Sequence, residues 1–83
     1  MMNNADIDSR VKRYLIDECG LHPELQEDEP LFSSGLINSM DMVGLVAFLE
    51  LEFSITIGST EVNLERLNTI RRISNLVAAR LSS

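Results

Sequence analysis

"GLINSMDMVGLVAFLELEF", residues 35–53, decides the fold. Val43, Val46, Leu49 and Phe53 recur at spacings of three, three and four, with Met42 and Leu45 flanking them, and this is the period of an amphipathic helix. Fifteen residues at about 1.5 Å each span roughly 22 Å. Asn38 is placed to cap that helix, with Asp41 at the third helical position completing a capping box and Ile37 and Met42 as a hydrophobic staple. Ser39 is then not needed as a cap. It takes the first helical position, its hydroxyl directed outward at the positive end of the helix, where free N–H groups suit a phosphate. Gly44 costs about 1 kcal/mol against alanine in a helix interior, which calls for a reason such as close approach of another backbone or a partner.

Working outward, the spacing predicts a helix over residues 4–19, with Ile7, Val11, Tyr14 and Leu15 on one face and Gly20 as a left-handed stop. Residues 21–37 hold Pro23, Pro30, Gly35 and the acids Glu27, Asp28 and Glu29, with no sustained period. They read as a long loop, which must be pinned to the helices, by Leu25, Leu31, Phe32 and Leu36. Beyond Phe53 the sequence "SITI" alternates, but no second strand candidate exists to pair with it, so 53–57 is expected as an extended link. A short helical turn over Glu61–Leu67 and a last helix over Thr69–Leu81 follow. In the last helix Ile70, Ile73, Val77 and Leu81 point inward, Arg71, Arg72 and Arg80 point outward, and Thr69 or Asn68 caps the start. The expected fold class is all-α: a four-helix bundle with a long first loop and a short third helix.

The 83 residues are read as one domain. With no Trp, one Tyr and three Phe, its core must be mainly aliphatic. The net charge of -6 is unevenly spread: residues 14–65 carry eleven acids and no Lys or Arg, whereas residues 66–83 carry four Arg. An acidic middle of that length repels nucleic-acid phosphates and anionic lipid, and attracts basic protein partners. No nucleic acid and no membrane insertion are expected, since no run reaches spanning length. The start "MMNNADIDSR" lacks the pattern of a signal peptide, which points to the cytoplasm. Cys19 and His22 are each the sole residue of their type, so no internal disulfide or cysteine-based metal cluster can form, and neither reads as catalytic. A nucleophilic Ser39 would need a base. The single His lies in a separate loop and no oxyanion-hole glycine pattern surrounds Ser39, so a serine modified by another enzyme fits better than a hydrolase.

The stretch "EPLFSSGLINSMDMVGLVAFLELEFSITI" resembles acyl carrier proteins and the related peptidyl carrier domains, whose signature is a Gly-Leu followed by Asp-Ser-Leu at the start of the second helix. Gly35, Leu36 and Ser39 match, as does the helix that follows, and the likeness continues into "LNTIRRI". The resemblance implies that Ser39 is esterified by 4'-phosphopantetheine from coenzyme A through a phosphopantetheinyl transferase. It also implies a monomer that is not itself an enzyme. A loading ligase for acyl or aminoacyl groups and downstream synthase or transferase enzymes are its implied partners. An aliphatic cleft for the cargo would be lined by Val43, Val46, Leu49, Ile57, Leu67 and Ile70, although each also reads as plain core. Partner docking would fall on Asn38, Met40, Asp41, Ala47, Glu50 and Glu52.

The departures from that pattern carry information of their own. Asn38 replaces the usual acidic residue before the serine, and Met40 replaces the usual Leu. Gly44 and Leu51 stand where fatty-acid carriers frequently have acids, and "GSTEVNLERLNTI" is longer than its counterpart there. These features favour a carrier of a specialised lipid, polyketide or nonribosomal-peptide-type pathway. The alternative is an interaction module of the same fold that is never modified.

Overall fold

The computed structural model describes residues 3–58 and 62–82. Three helices carry it: α1 (Asn4–Cys19), α2 (Ser39–Phe53) and α3 (Ile70–Leu81). Each starts at a side chain that accepts one of the backbone N–H groups left over at a helix N-terminus. Asn3 accepts from Asp6, Asn38 from Asp41 and Thr69 from Arg72. At the other end of α1, Gly20 has φ 73° and its N–H returns to the Leu15 carbonyl, so the left-handed stop expected there forms.

The interior is aliphatic, as a chain so poor in aromatics requires. Ile7, Val11 and Leu15 of α1 meet Ile70, Ile73 and Val77 of α3, all fully buried. α1 packs chiefly on α3, and α2 makes smaller contacts with both. Ser74, the one buried polar residue among those described, donates its hydroxyl to the Asp8 carboxylate and thereby ties α3 to α1. From the loops, Leu25, Leu31, Ile37, Ile57 and Leu67 close the core.

Several expectations need correction. The four-helix count is not confirmed: three helices are found among the described residues. Residue 61 lies outside those described. Residues 64–67 form turns rather than a short helix. There the Asn63 side chain accepts the Arg66 N–H at 2.8 Å and the Glu65 carbonyl accepts the Asn68 N–H at 3.4 Å. A turn closed at both ends leaves too few residues for a helical ladder.

The inward stripe of α2 is Leu45, Leu49 and Phe53, while Val43 is 65% exposed and Val46 half-buried. Apolar side chains occupy nearly every face of this helix, so periodicity alone offered two overlapping stripes. Packing of Phe48 on Tyr14, with ring centroids 4.4 Å apart, helps select the one that is buried. In the first loop Ile37 is buried in place of Leu36, and at the end of α3 Leu81 is exposed while Leu76 packs inward. Arg71 and Arg72 face solvent as expected, but Arg80 is only half-exposed.

Gly44 has its reason. A Cβ built there would stand 2.9 Å from the Tyr14 hydroxyl oxygen, inside van der Waals contact. Tyr14 is held against Phe48, which in turn meets Phe53 edge-on at 6.4 Å, so its ring cannot swing aside without losing stacking. Gly44→Ala should therefore show little of the ~1 kcal/mol that helix propensity offers. In a Tyr14→Phe background, where the offending oxygen is gone, the same substitution should stabilise by about that amount. Chemical denaturation of the four proteins checks this, and strictly additive effects would mean that the ring moves freely.

Candidate functional site

The start of α2 is built by a reciprocal pair. Asn38 Oδ1 accepts the Asp41 N–H at 3.0 Å, and Asp41 Oδ2 accepts the Asn38 N–H at 3.0 Å. The Asn38 carbonyl accepts the Met42 N–H at 3.1 Å, beginning the helical ladder. With these groups satisfied, the N–H groups of Ser39 and Met40 are the first-turn donors that have no acceptor within the helix. Ser39 is exposed at this positive end and takes no part in the cap. The other two serines nearby are occupied. Ser34 donates its hydroxyl to the Pro30 carbonyl, and Ser33 Oγ accepts from Asn68 Nδ2 at 3.1 Å.

Cys19, at the end of α1, is partly buried, and burial followed by the charges of Asp41 and Glu18 pushes its thiol above the ordinary range. Such a thiol is a poor nucleophile. Burial likewise raises Tyr14, with Cys19, Glu18 and Asp41 adding to the effect. His22 Nδ1 accepts the Glu24 N–H at 3.1 Å, so the imidazole shapes the loop after α1.

The residues singled out for docking fall into two sets. Met40, 79% exposed, and Ala47 lie on the open face of α2. The acids are engaged within the chain. Asp41 serves the cap, Glu50 Oε2 accepts the Ile57 N–H at 2.9 Å, and Glu52 pairs with Arg10 at 2.8 Å. Glu50 also closes the far end of α2, where its carbonyl receives the N–H of Ser54 and of Ile55.

Sequence reasoning assigned Val43 to the interior and gave Leu51 no role beyond lowered acidity. Both are exposed, Leu51 at 84%, and with Met40 and Ala47 they form an apolar stripe at spacings of three, four and four that starts beside Ser39. That spacing is plain in the sequence; the stronger apolar residues of the opposite face obscured it.

Of the residues singled out for a cargo cleft, Leu49, Ile57, Leu67 and Ile70 are packed in the core, Val46 is half-buried, and Val43 faces solvent. The structure thus brings four of the six together as filled interior. Asn68, considered before only as a cap, is the other residue that was missed. Thr69 holds the α3 cap, and the Asn68 side chain turns to the first loop instead, accepting the N–H groups of Phe32 at 2.8 Å and Ser33 at 3.2 Å. A second polar residue beside an adequate cap was the available signal.

Ser39 is thus exposed at a capped helix start and plays no part in the cap. Residues 9–77 match the family described as the phosphopantetheine attachment site. Over 83 aligned residues the chain is 35% identical to the acyl carrier protein of Thermosynechococcus vestitus, covering 94% of this chain and all of that one. The chain belongs to the acyl carrier protein family, and its cofactor is covalently attached 4'-phosphopantetheine. No described helix is long and apolar enough to cross a membrane.

The cap gives a direct test of this geometry. Asn38→Ala should cost about 1 kcal/mol of stability, whereas Asn38→Asp, which keeps an acceptor for the Asp41 N–H, should stay within a few tenths of the parent. Urea denaturation of the two variants measures both, and an alanine variant as stable as the parent would remove the cap from the account.

Proposed function

We propose that Ser39 is the residue esterified with 4'-phosphopantetheine, by a phosphopantetheinyl transferase using coenzyme A, and that the chain serves other enzymes as a carrier without being a catalyst. The observation that carries this reading is the division of labour at the α2 start: Asn38 and Asp41 satisfy the cap, and Ser39 is left exposed beside two donors with no acceptor in the helix. The residues present fit the group, because a phosphate ester there meets the positive helix end and the Ser39 and Met40 N–H groups. When bound, the group supplies a terminal thiol on a flexible arm, on which cargo is held as a thioester.

The partners are then a loading ligase for acyl or aminoacyl groups and downstream synthase or transferase enzymes. A specialised lipid, polyketide or nonribosomal-peptide-type pathway fits better than housekeeping fatty-acid synthesis. What supports this is the docking face: Leu51 puts an apolar group where an acid is frequent, and Gly44, set by Tyr14, leaves no room for one without displacing the ring. Docking is proposed to use Met40, Val43, Ala47 and Leu51 as apolar contacts, with Asn38, Asp41, Glu50 and Glu52 at their margin. Leu49, Ile57, Leu67 and Ile70 would have to move apart to admit an acyl chain, with Val46 and Val43 toward its mouth.

Intact mass after incubation with a transferase and coenzyme A tests the attachment. The parent should gain the mass of phosphopantetheine and Ser39→Ala should not, while its stability stays within about 0.5 kcal/mol because the serine is exposed and outside the cap. A parent that gains no mass would leave an unmodified interaction module, and a modified alanine variant would move the site elsewhere.

The docking face has its own test in binding kinetics with a cognate partner across a salt series. Charge steers encounter and is screened over about 8 Å at physiological ionic strength, whereas apolar burial is not. Asp41→Asn, which keeps a carbonyl for the Asn38 N–H, should slow association mainly at low salt. Met40→Ala should weaken the complex at every salt concentration; parent-like behaviour of both variants would place docking elsewhere.

A further inference from the structure

A series of hydrogen bonds runs from the loop before α3 to the start of α2, and Asn68 stands at its head. Its carbonyl accepts the Leu31 N–H at 2.6 Å. Its side-chain oxygen accepts the N–H groups of Phe32 and Ser33, and its Nδ2 donates to Ser33 Oγ, so one side chain holds two successive loop residues from three directions. Leu31, fully buried, in turn offers its carbonyl to the Ile37 N–H at 3.0 Å. That bond joins the two ends of the 31–37 segment, whose middle is closed by the Gly35 N–H on the Phe32 carbonyl at 3.1 Å. Ile37 is buried, and the next residue is Asn38, where the capping box begins.

Taking Ser39 as the attachment residue, we infer that Asn68 is a positioning residue for its modification: it fixes the 31–37 loop, and through Leu31 and Ile37 it sets where the Ser39 hydroxyl is presented. Asn68 is separated from Ser39 by nearly thirty positions in sequence and does not cap α3, so its side-chain bonds serve the loop rather than its own helix. The capping box fixes Ser39 relative to α2, but α2 itself enters the bundle through Ile37. The loop is therefore the second support of the serine. In the transfer, Ser39 Oγ bonds to the pantetheine-side phosphorus of coenzyme A as the phosphoanhydride P–O bond breaks. The nucleotide half leaves with that electron pair, and the hydroxyl proton passes to a base of the transferase or to solvent. An in-line displacement of this kind is sensitive to orientation, and a misplacement of about 1 Å can cost up to about 10²-fold in rate.

The test compares Asn68→Ala with Asn68→Asp, using a phosphopantetheinyl transferase and coenzyme A, with mass as the readout of modification. Alanine removes the acceptor of the Phe32 and Ser33 N–H groups, and aspartate keeps it. For Asn68→Ala, kcat should fall about tenfold while KM stays within about twofold, because the α2 face that docks is untouched. Asn68→Asp should restore kcat to within about threefold of the parent. Amide exchange should quicken at Leu31, Phe32, Ser33 and Ile37 in the alanine variant, with α1 and α3 protected as in the parent. Exchange on the unmutated protein keeps the test open should the alanine variant fail to fold: the four amides should be protected as one group, and free exchange at Phe32 and Ser33 would overturn the inference. So would parent-like kcat in a folded Asn68→Ala, or a loss of protection spread equally over all three helices. Ser39→Ala run alongside separates the two readings, since modification of that variant would overturn the site itself and unaltered kcat in Asn68→Ala only the role of Asn68.

Discussion

The first loop depends on one constraint. Between Gly20 and Asn38 the chain has no helix of its own to satisfy its backbone groups, yet Leu25, Leu31 and Ile37 must be buried to complete the core. Buried backbone donors without partners are costly, so the loop borrows partners from the other end of the chain. Asn68 supplies them for Leu31, Phe32 and Ser33, and the Glu27 carbonyl takes the Arg71 N–H at 3.0 Å. Arg71 also grips Asp28 through two nitrogens, at 2.6 and 3.2 Å, which holds that carboxyl below the ordinary range. This pair is largely open to water, so it orients the loop more than it stabilises the fold. The start of α3 thus acts as the template on which the loop before Ser39 is laid.

The electrostatics follow the same economy. A chain of net charge -6 suggests a broad negative surface for basic partners, yet three acids of α2 have internal duties. Asp41 completes the cap, Glu50 closes the helix end onto Ile57, and Glu52 holds Arg10, which lies 5.9 Å from the centre of the Phe53 ring. Their charges still contribute to the long-range field, but each is fixed in direction. The face of α2 that is open carries methyl and thioether groups instead, from Met40 to Leu51.

Much of this was legible in the sequence where one residue does one local job. The bounds of the three helices, the Asn38 and Asp41 box and the Gly20 stop are short-range matters of backbone donors, and the pattern contained them; that Gly44 needed a reason was also visible, but not that a tyrosine side chain of α1 supplies it. What was not legible depends on which of two chemically equal choices the tertiary structure makes. α2 offers Val43 or Leu45 to the core with similar hydrophobic gain, and only its neighbours select. Leu36 and Ile37 differ by one position and exchange inside for outside. The segment before α3 has helix-compatible residues, but Asn63 and Asn68 spend its donors and acceptors on turns and on the distant loop. At the candidate site the serine and its cap could be read, whereas Asn68, a partner some 35 positions from the loop it holds, left no periodic trace.

The packing of Tyr14 against Gly44 has an optical consequence. The chain has no tryptophan and this is its sole tyrosine, so its tyrosine emission arises from one ring, stacked on Phe48 between α1 and α2. The Asp41 carboxylate that completes the α2 cap is close enough to act on the same phenol. With excitation beyond the phenylalanine absorption band, any event that shifts the start of α2 relative to α1 is therefore written into the intensity and lifetime of this one native fluorophore, with no label introduced.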